Sequence, residues 1–174
     1  ETDSVTLLNE YAKQKFAAER HALSSPYSII LRTSIVGYNE IRKNSLIMWA
    51  IQNLIEGKEI NLYQDAYTSA VCVKLFARYA CDILLSNKTF GLFNLASCEV
   101  FSKEKLIRSL ATSLNLSHDH CRSVKIQTVD KKRANCLGLD VSKIEKILGR
   151  RMPSLIETVE SIRNDFDRYE LQHE

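Results

Sequence analysis

Tyr11 and Lys15 stand four residues apart in the stretch Asn9–Arg20, NEYAKQKFAAER. On a helix that spacing puts both side chains on one face, one turn from each other. A phenol beside an ammonium group can pass a proton to or from a carbonyl or carbinol oxygen, because a nearby cation favours the phenolate. The same ammonium can donate to ribose hydroxyls and so orient a cofactor. A Lys-rich helix also produces this spacing with no chemistry attached, the ring packing while the lysine stem lies along the surface. On these residues alone both readings stay open.

Other reactive groupings are weaker. His118-Asp119-His120-Cys121 collects three metal-binding residue types. Zinc sites take paired ligands from separated knuckles, so a polar loop is the expectation and no metal is assigned. Lys131-Lys132-Arg133 and Arg150-Arg151 could meet phosphates, but most such side chains form a solvated face. The chain of 174 residues carries 24 Lys and Arg against 21 Asp and Glu, a net charge of +3. That balance argues against nucleic acid as a partner and against a polybasic membrane anchor. No apolar run approaches the roughly 18 residues a membrane span needs, and residues 1–20 hold no signal-peptide core. Five cysteines, an odd number with no C-x-x-C pair, fit a reduced, cytoplasmic compartment. Trp49 is expected in the core or at an interface.

Periodicity supplies the elements that position these groups. Strong helix formers fill residues 9–23, and Ser25-Pro26 ends that helix. Tyr27–Val36, with its continuous Ile29-Ile30-Leu31 run, reads as a strand of a parallel sheet covered on both faces. A helix over 44–56 stops at Gly57. A strand at Ile60–Leu62, a helix over 71–86 and a strand over Gly91–Ala96 follow. Ser102 is the expected N-cap of a helix whose stripe is Leu106, Ile107, Leu110, Ala111 and Leu114. Val124–Val129 alternates weakly as a strand, and Asp140 is expected to cap a short helix ending near Gly149. Ser154-Leu155-Ile156-Glu157 has capping-box spacing and opens a last helix with Leu155, Ile156, Val159, Ile162 and Phe166 inward. Strands alternating with helices make an α/β fold. No glycine-rich phosphate loop of either common type occurs in the chain.

Several segments, in order, resemble the dTDP-4-dehydrorhamnose reductase family of extended short-chain dehydrogenase/reductases. Asn9-x-Tyr11-x-x-x-Lys15 with Glu19 resembles its N-x-Y-G-x-S/T-K-x-x-x-E helix. Leu31-Arg32-Thr33-Ser34-Ile35-Val36 is similar to L-R-T-S-W-V-Y-G, and Asn44 to an asparagine that precedes a long helix. Glu56-Gly57-Lys58 matches an E-G-K turn. Asp65-Ala66-Tyr67-Thr68-Ser69 resembles the loop D-Q-x-G-S-P-T, and Gly91–Ala96 is similar to G-x-Y-H-L-S. Lys132-Arg133-Ala134-Asn135 with Leu139-Asp140-Val141-Ser142-Lys143 resembles K-R-P-x-x-S-x-L-D-x-S-K-L. Departures are Ala12, Gln14, Ile35 (an aromatic position in the family), Thr68, Ala70 and Ala134.

The resemblance implies the C-terminal half of an NAD(P)-binding Rossmann-like enzyme with its small substrate-binding subdomain. Residues 1–40 would close the Rossmann-like part, and about 41–174 would form mainly the subdomain with returning Rossmann elements. Glu1-Thr2-Asp3-Ser4 leads straight into a helix with no strand before it, as expected of a fragment. By resemblance Tyr11 is the catalytic acid for a 4-keto sugar, and Lys15 holds the ribose of NADP or NAD. Ser34, Ile35 and Val36 face the nicotinamide, while Asn44 and Arg133 approach the nucleotide sugar. A homodimer is the implied assembly. The third catalytic residue and the glycine-rich loop would lie upstream, so residues 1–174 alone are expected neither to hold a cofactor tightly nor to turn over. The alternatives are a non-catalytic binding or regulatory protein with this fold, and an epimerase or dehydratase that shares Tyr11 and Lys15.

Overall fold

The computed structural model describes residues 1–39, 44–86, 89–126 and 136–173. Helix α1 (Glu10–Ala22) begins where Asn9 Oδ1 accepts a hydrogen bond from the Ala12 amide at 2.9 Å. That bond satisfies one of the amides a helix start leaves without a partner. No α1 residue is buried. Ala12, Phe16 and Glu19 are half-buried at helical spacing, and Tyr11 and Lys15 stand exposed beside them.

The single strand expected over Tyr27–Val36 is two. β1 (Ile29–Arg32) pairs in parallel with β6 (Gly91–Asn94), Ile29 opposite Gly91 and Arg32 opposite Asn94. β2 (Ile35–Val36) pairs in parallel with β5 (Val71–Cys72). The partner changes at Thr33-Ser34: Leu95 N donates to Arg32 O and Val71 N to Ser34 O, both at 2.9 Å. Nor is the segment covered on both faces, since all four β1 residues are half-buried and Ile35 is exposed. Among the described residues β6 flanks β1 on one side only, and the helix beside it is polar.

Val71 and Cys72, expected as helix, are strand because Ser34 O takes the Val71 amide; α3 then runs Val73–Leu85. α2 (Leu46–Ile55) is capped by Ser45, whose hydroxyl accepts from Met48 N at 3.2 Å, and Gly57 follows it at φ +62°. Only glycine adopts that left-handed conformation without strain. β3 (Ile60–Tyr63) pairs in parallel with β8 (Cys121–Val124). This strand lies earlier than the expected Val124–Val129 because Cys121 supplies the core side chain beside Ile60 and Leu62. Residues 127–129 lie outside the described residues. β4 (Tyr67–Thr68) is flanked by β7 (Phe101–Ser102), antiparallel, and β9 (Cys136–Leu137), parallel.

α4 (Lys103–Ser113) starts at Ser102, which accepts from Lys105 N at 3.1 Å, and it buries Leu106, Ile107, Leu110 and Ala111. α5 (Ser142–Leu148) follows Asp140, whose Oδ1 accepts from Ser142 N at 2.9 Å. α6 (Leu155–His173) opens with a reciprocal capping box: Glu157 N donates to Ser154 Oγ, and Ser154 N to Glu157 Oε2. Leu155, Val159 and Ile162 pack with α2, α4 and β5 in one core cluster. Ile156, expected on that face, is exposed. It sits about 100° around the helix from Leu155, off the stripe that continues through Phe166. Trp49, at 38% exposure, is not a core residue.

Candidate active site

The Tyr11–Lys15 pair forms as the spacing requires. Lys15 Nζ lies 5.8 Å from the centroid of the Tyr11 ring, and Tyr11 is 69% exposed. Among the described residues neither the Lys15 ammonium nor the Tyr11 hydroxyl has a hydrogen-bond or ion-pair partner, whereas neighbouring Lys13 pairs with Glu10 at 2.6 Å. One turn past Lys15, Glu19 is clamped to β1 by Arg32, whose Nε donates to Oε2 at 2.8 Å and whose NH2 donates to Oε1 at 2.7 Å. The hydrogen bonds to Glu19 hold the Arg32 pKa above its ordinary value, with burial opposing and the charges of Glu19 and Glu1 assisting. The arginine fork matches a carboxylate in one geometry, so this pair fixes the direction of a helix that has no buried anchor.

Ser34 is set where the strand changes partner. Its carbonyl takes the Val71 amide, and its hydroxyl oxygen lies 3.2 Å from Oγ1 of Thr68, itself 6% exposed. Beyond it, Ile35 and Val36 line a cavity of 320 Å³ at the carboxyl end of β2, together with Tyr38, Ser45 and Val73. In open α/β sheets ligands bind outside the carboxyl ends of parallel strands. Asn44, exposed in the turn before α2, adjoins Ser45 at this cavity. Arg133 lies outside the described residues. Tyr11 and Lys15 are not among the cavity's lining residues. The site residues therefore fall in two groups, connected through α1, the Arg32 clamp and the turn from β1 to β2.

Residues that spacing did not single out do much of the positioning. Thr68, read only as a departure from a glycine, holds Ser34. Ser69 is fully buried; its hydroxyl accepts from Leu139 N at 3.0 Å and its carbonyl from Ser97 N at 2.9 Å, which locks the loop between β4 and β5. A further cavity of 460 Å³ lies beside β9 and α5 and is lined by Cys98, Cys136, Asp140 and Arg151. Among the described residues no group of His, Cys, Asp and Glu could hold a metal. His118 instead lies within 3.2 Å of an Arg108 nitrogen and within 3.4 Å of the Thr112 hydroxyl. None of the described helices is long and apolar enough to cross a membrane.

No protein-family model and no curated protein matches this sequence. Solved structures do match it. A dTDP-4-dehydrorhamnose reductase from Bacillus anthracis in complex with NADP aligns over 95% of this chain and 58% of its own, with TM-score 0.80 and 18% identity. A dTDP-4-dehydrorhamnose reductase from Clostridium acetobutylicum aligns over 98% and 59%, with TM-score 0.80 and 16% identity. A UDP-N-acetylglucosamine 4-epimerase from Methanobrevibacter ruminantium aligns over 95% and 57%, with TM-score 0.72 and 17% identity. The chain has the fold of extended short-chain dehydrogenase/reductases. It spans a little under 60% of the length of these three structures. The expected α/β class with parallel strand pairs holds.

Proposed function

We propose that the protein carrying this chain is an NAD(P)H-dependent reductase of a nucleotide-linked 4-keto hexose. The observation that carries this reading is the Tyr11–Lys15 pair, side by side on a helix clamped to β1 and, among the described residues, without a hydrogen-bond or ion-pair partner, within this fold. An unpaired ammonium and phenol are the donors a nicotinamide ribose and a ketone oxygen would meet, so the residues present fit the cofactor. When bound, the nicotinamide supplies the hydride. Tyr11 holds at its phenol oxygen the proton destined for the 4-keto oxygen. Lys15 binds the ribose and balances the negative charge left on Tyr11. Ser34, Ile35 and Val36 present the carboxyl end of β2 to the nicotinamide, and Asn44 approaches the sugar. Arg133 keeps its expected role as a diphosphate partner through charge-assisted bonds.

The test is Tyr11→Phe in the full-length protein, with NADPH and NADH oxidation followed against nucleotide-linked 4-keto hexoses. Loss of about 10²- to 10⁴-fold in kcat is expected. Unaltered activity would remove Tyr11 as the acid. Because a 4-epimerase shares the fold, inversion at C4 without net oxidation of cofactor would reassign the reaction while leaving Tyr11 and Lys15 in place. No turnover with any nucleotide sugar would favour the non-catalytic binding role.

A further inference from the structure

Tyr38 borders two cavities. On one side is the 320 Å³ cavity at the carboxyl end of β2. On the other is a cavity of 230 Å³ between α2 and α6, lined by Met48, Ile51 and Phe166 among others. The ring is held from the α6 side. It meets Phe166 edge-on, with centroids 5.7 Å apart and planes at 88°, and lies tilted against Tyr169 at 5.7 Å. Offset and edge-on arrangements of this kind are the favoured geometries for aromatic pairs.

The backbone on either side of Tyr38 has little slack. A Cβ at Gly37 would come within 2.9 Å of Val73 Cγ1, so the chain passes hard against the first residue of α3. Asn39 N donates to Met48 Sδ at 3.5 Å, a tie to α2. Three helices thus fix where the ring stands. Ile35 and Ser45 line the same cavity as Tyr38, and Asn44, which in the functional reading approaches the sugar, adjoins Ser45 there.

We propose that Tyr38 is a specificity-determining residue: its ring is the wall that closes the sugar cavity from the space between α2 and α6. A plain nucleotide-linked hexose fits in front of the wall, and a hexose with an N-acyl group needs the room behind it. The inference rests on the functional reading that this cavity holds the sugar.

The experiment uses the full-length protein and its Tyr38→Ala and Tyr38→Phe variants, titrated with UDP-glucose and UDP-N-acetylglucosamine. Wild type and Tyr38→Phe are expected to favour the plain hexose. In Tyr38→Ala the ratio of the Kd for UDP-N-acetylglucosamine to the Kd for UDP-glucose should fall by about tenfold or more, the scale of discrimination by a shaped pocket, and added phenol, the missing ring, should restore it. An unchanged ratio in folded Tyr38→Ala overturns the proposal, and Tyr38→Leu gives the same reading if the alanine variant does not fold. Failure of the wild type to bind either hexose would sink the functional reading instead. The wall is then decided by melting. Phenol should raise the Tm of Tyr38→Ala but not of Tyr38→Phe, and equal response of the two variants overturns it.

Discussion

Glu19 of α1 receives two parallel hydrogen bonds from Arg32 of β1, from Nε at 2.8 Å and from NH2 at 2.7 Å. The two side chains are 12% and 26% exposed, and the helix they anchor has no buried residue. A double-mutant cycle with Glu19→Gln and Arg32→Gln should give a coupling of about 1 kcal/mol in denaturant unfolding, above the usual surface pair because the fork is bidentate and partly shielded. Arg32→Lys should recover little of it, since a point charge cannot reproduce the fork. Equal stability of all four proteins would show that α1 is held by something else.

Gly37 approaches Val73 too closely for a side chain. Gly37→Ala should cost about 1–3 kcal/mol, the usual range for overpacking. Val73→Ala removes the atom that would be struck, at 2.9 Å. The double variant should therefore be more stable than Gly37→Ala alone, measured by thermal melting. A neutral Gly37→Ala would mean that the loop yields, and that the placement of Tyr38 is looser than its contacts indicate.

The start of α6 should be sensitive to acid. The amide of Ser154 and then its hydroxyl hold the Glu157 carboxyl below its ordinary pKa of 4.5, with burial opposing. A carboxyl with a lowered folded-state pKa contributes stability that is complete above the unfolded value. That contribution fades as pH falls through the folded value. Glu157→Gln should therefore lose stability against wild type at pH 7, and the difference should shrink below about pH 4. Ser154→Ala should cost about 0.5–2 kcal/mol as the loss of a helix cap. A Glu157→Gln difference that is flat from pH 3 to pH 7 would contradict the capping geometry.

Native thiol labelling should sort the cysteines by position. Cys81 and Cys136 are exposed, and Cys72 and Cys121 are buried. Burial also raises the Cys98 and Cys121 pKa values, with Arg151 opposing at the first and Arg108 at the second. The thiolate is the nucleophile, so both effects slow alkylation. Mass spectrometry after brief iodoacetamide treatment should find Cys81 and Cys136 modified first and Cys72 last. Early labelling of Cys72 would show that the β2–β5 pair opens readily.

Most helix starts and stops were legible in the chain because they are decided within a turn; the start of α3 is the exception, set by the distant Ser34 carbonyl. Asn9, Ser102 and the Ser154–Glu157 box act on amides three residues away, and Gly57 and Gly149 take left-handed conformations at helix ends. The Tyr11–Lys15 pairing belongs to the same class, since helical pitch alone makes the residues neighbours. Sequence therefore determined the α/β order, most helix ends and one half of the candidate site.

Tertiary structure decided the rest. The division of Tyr27–Val36 into β1 and β2 depends on whether Leu95 or Val71 is the partner, and no local pattern encodes that choice. Thr68 reaches Ser34 across 34 positions, and Arg32 finds Glu19 across 13. Ile156 is as apolar as Leu155, yet only the packed face of α6 tells them apart. Tyr38 becomes a wall because α2, α3 and α6 converge on its loop. Local hydrogen bonds carry their own geometry, whereas the placement of a side chain between distant elements is fixed only when those elements pack.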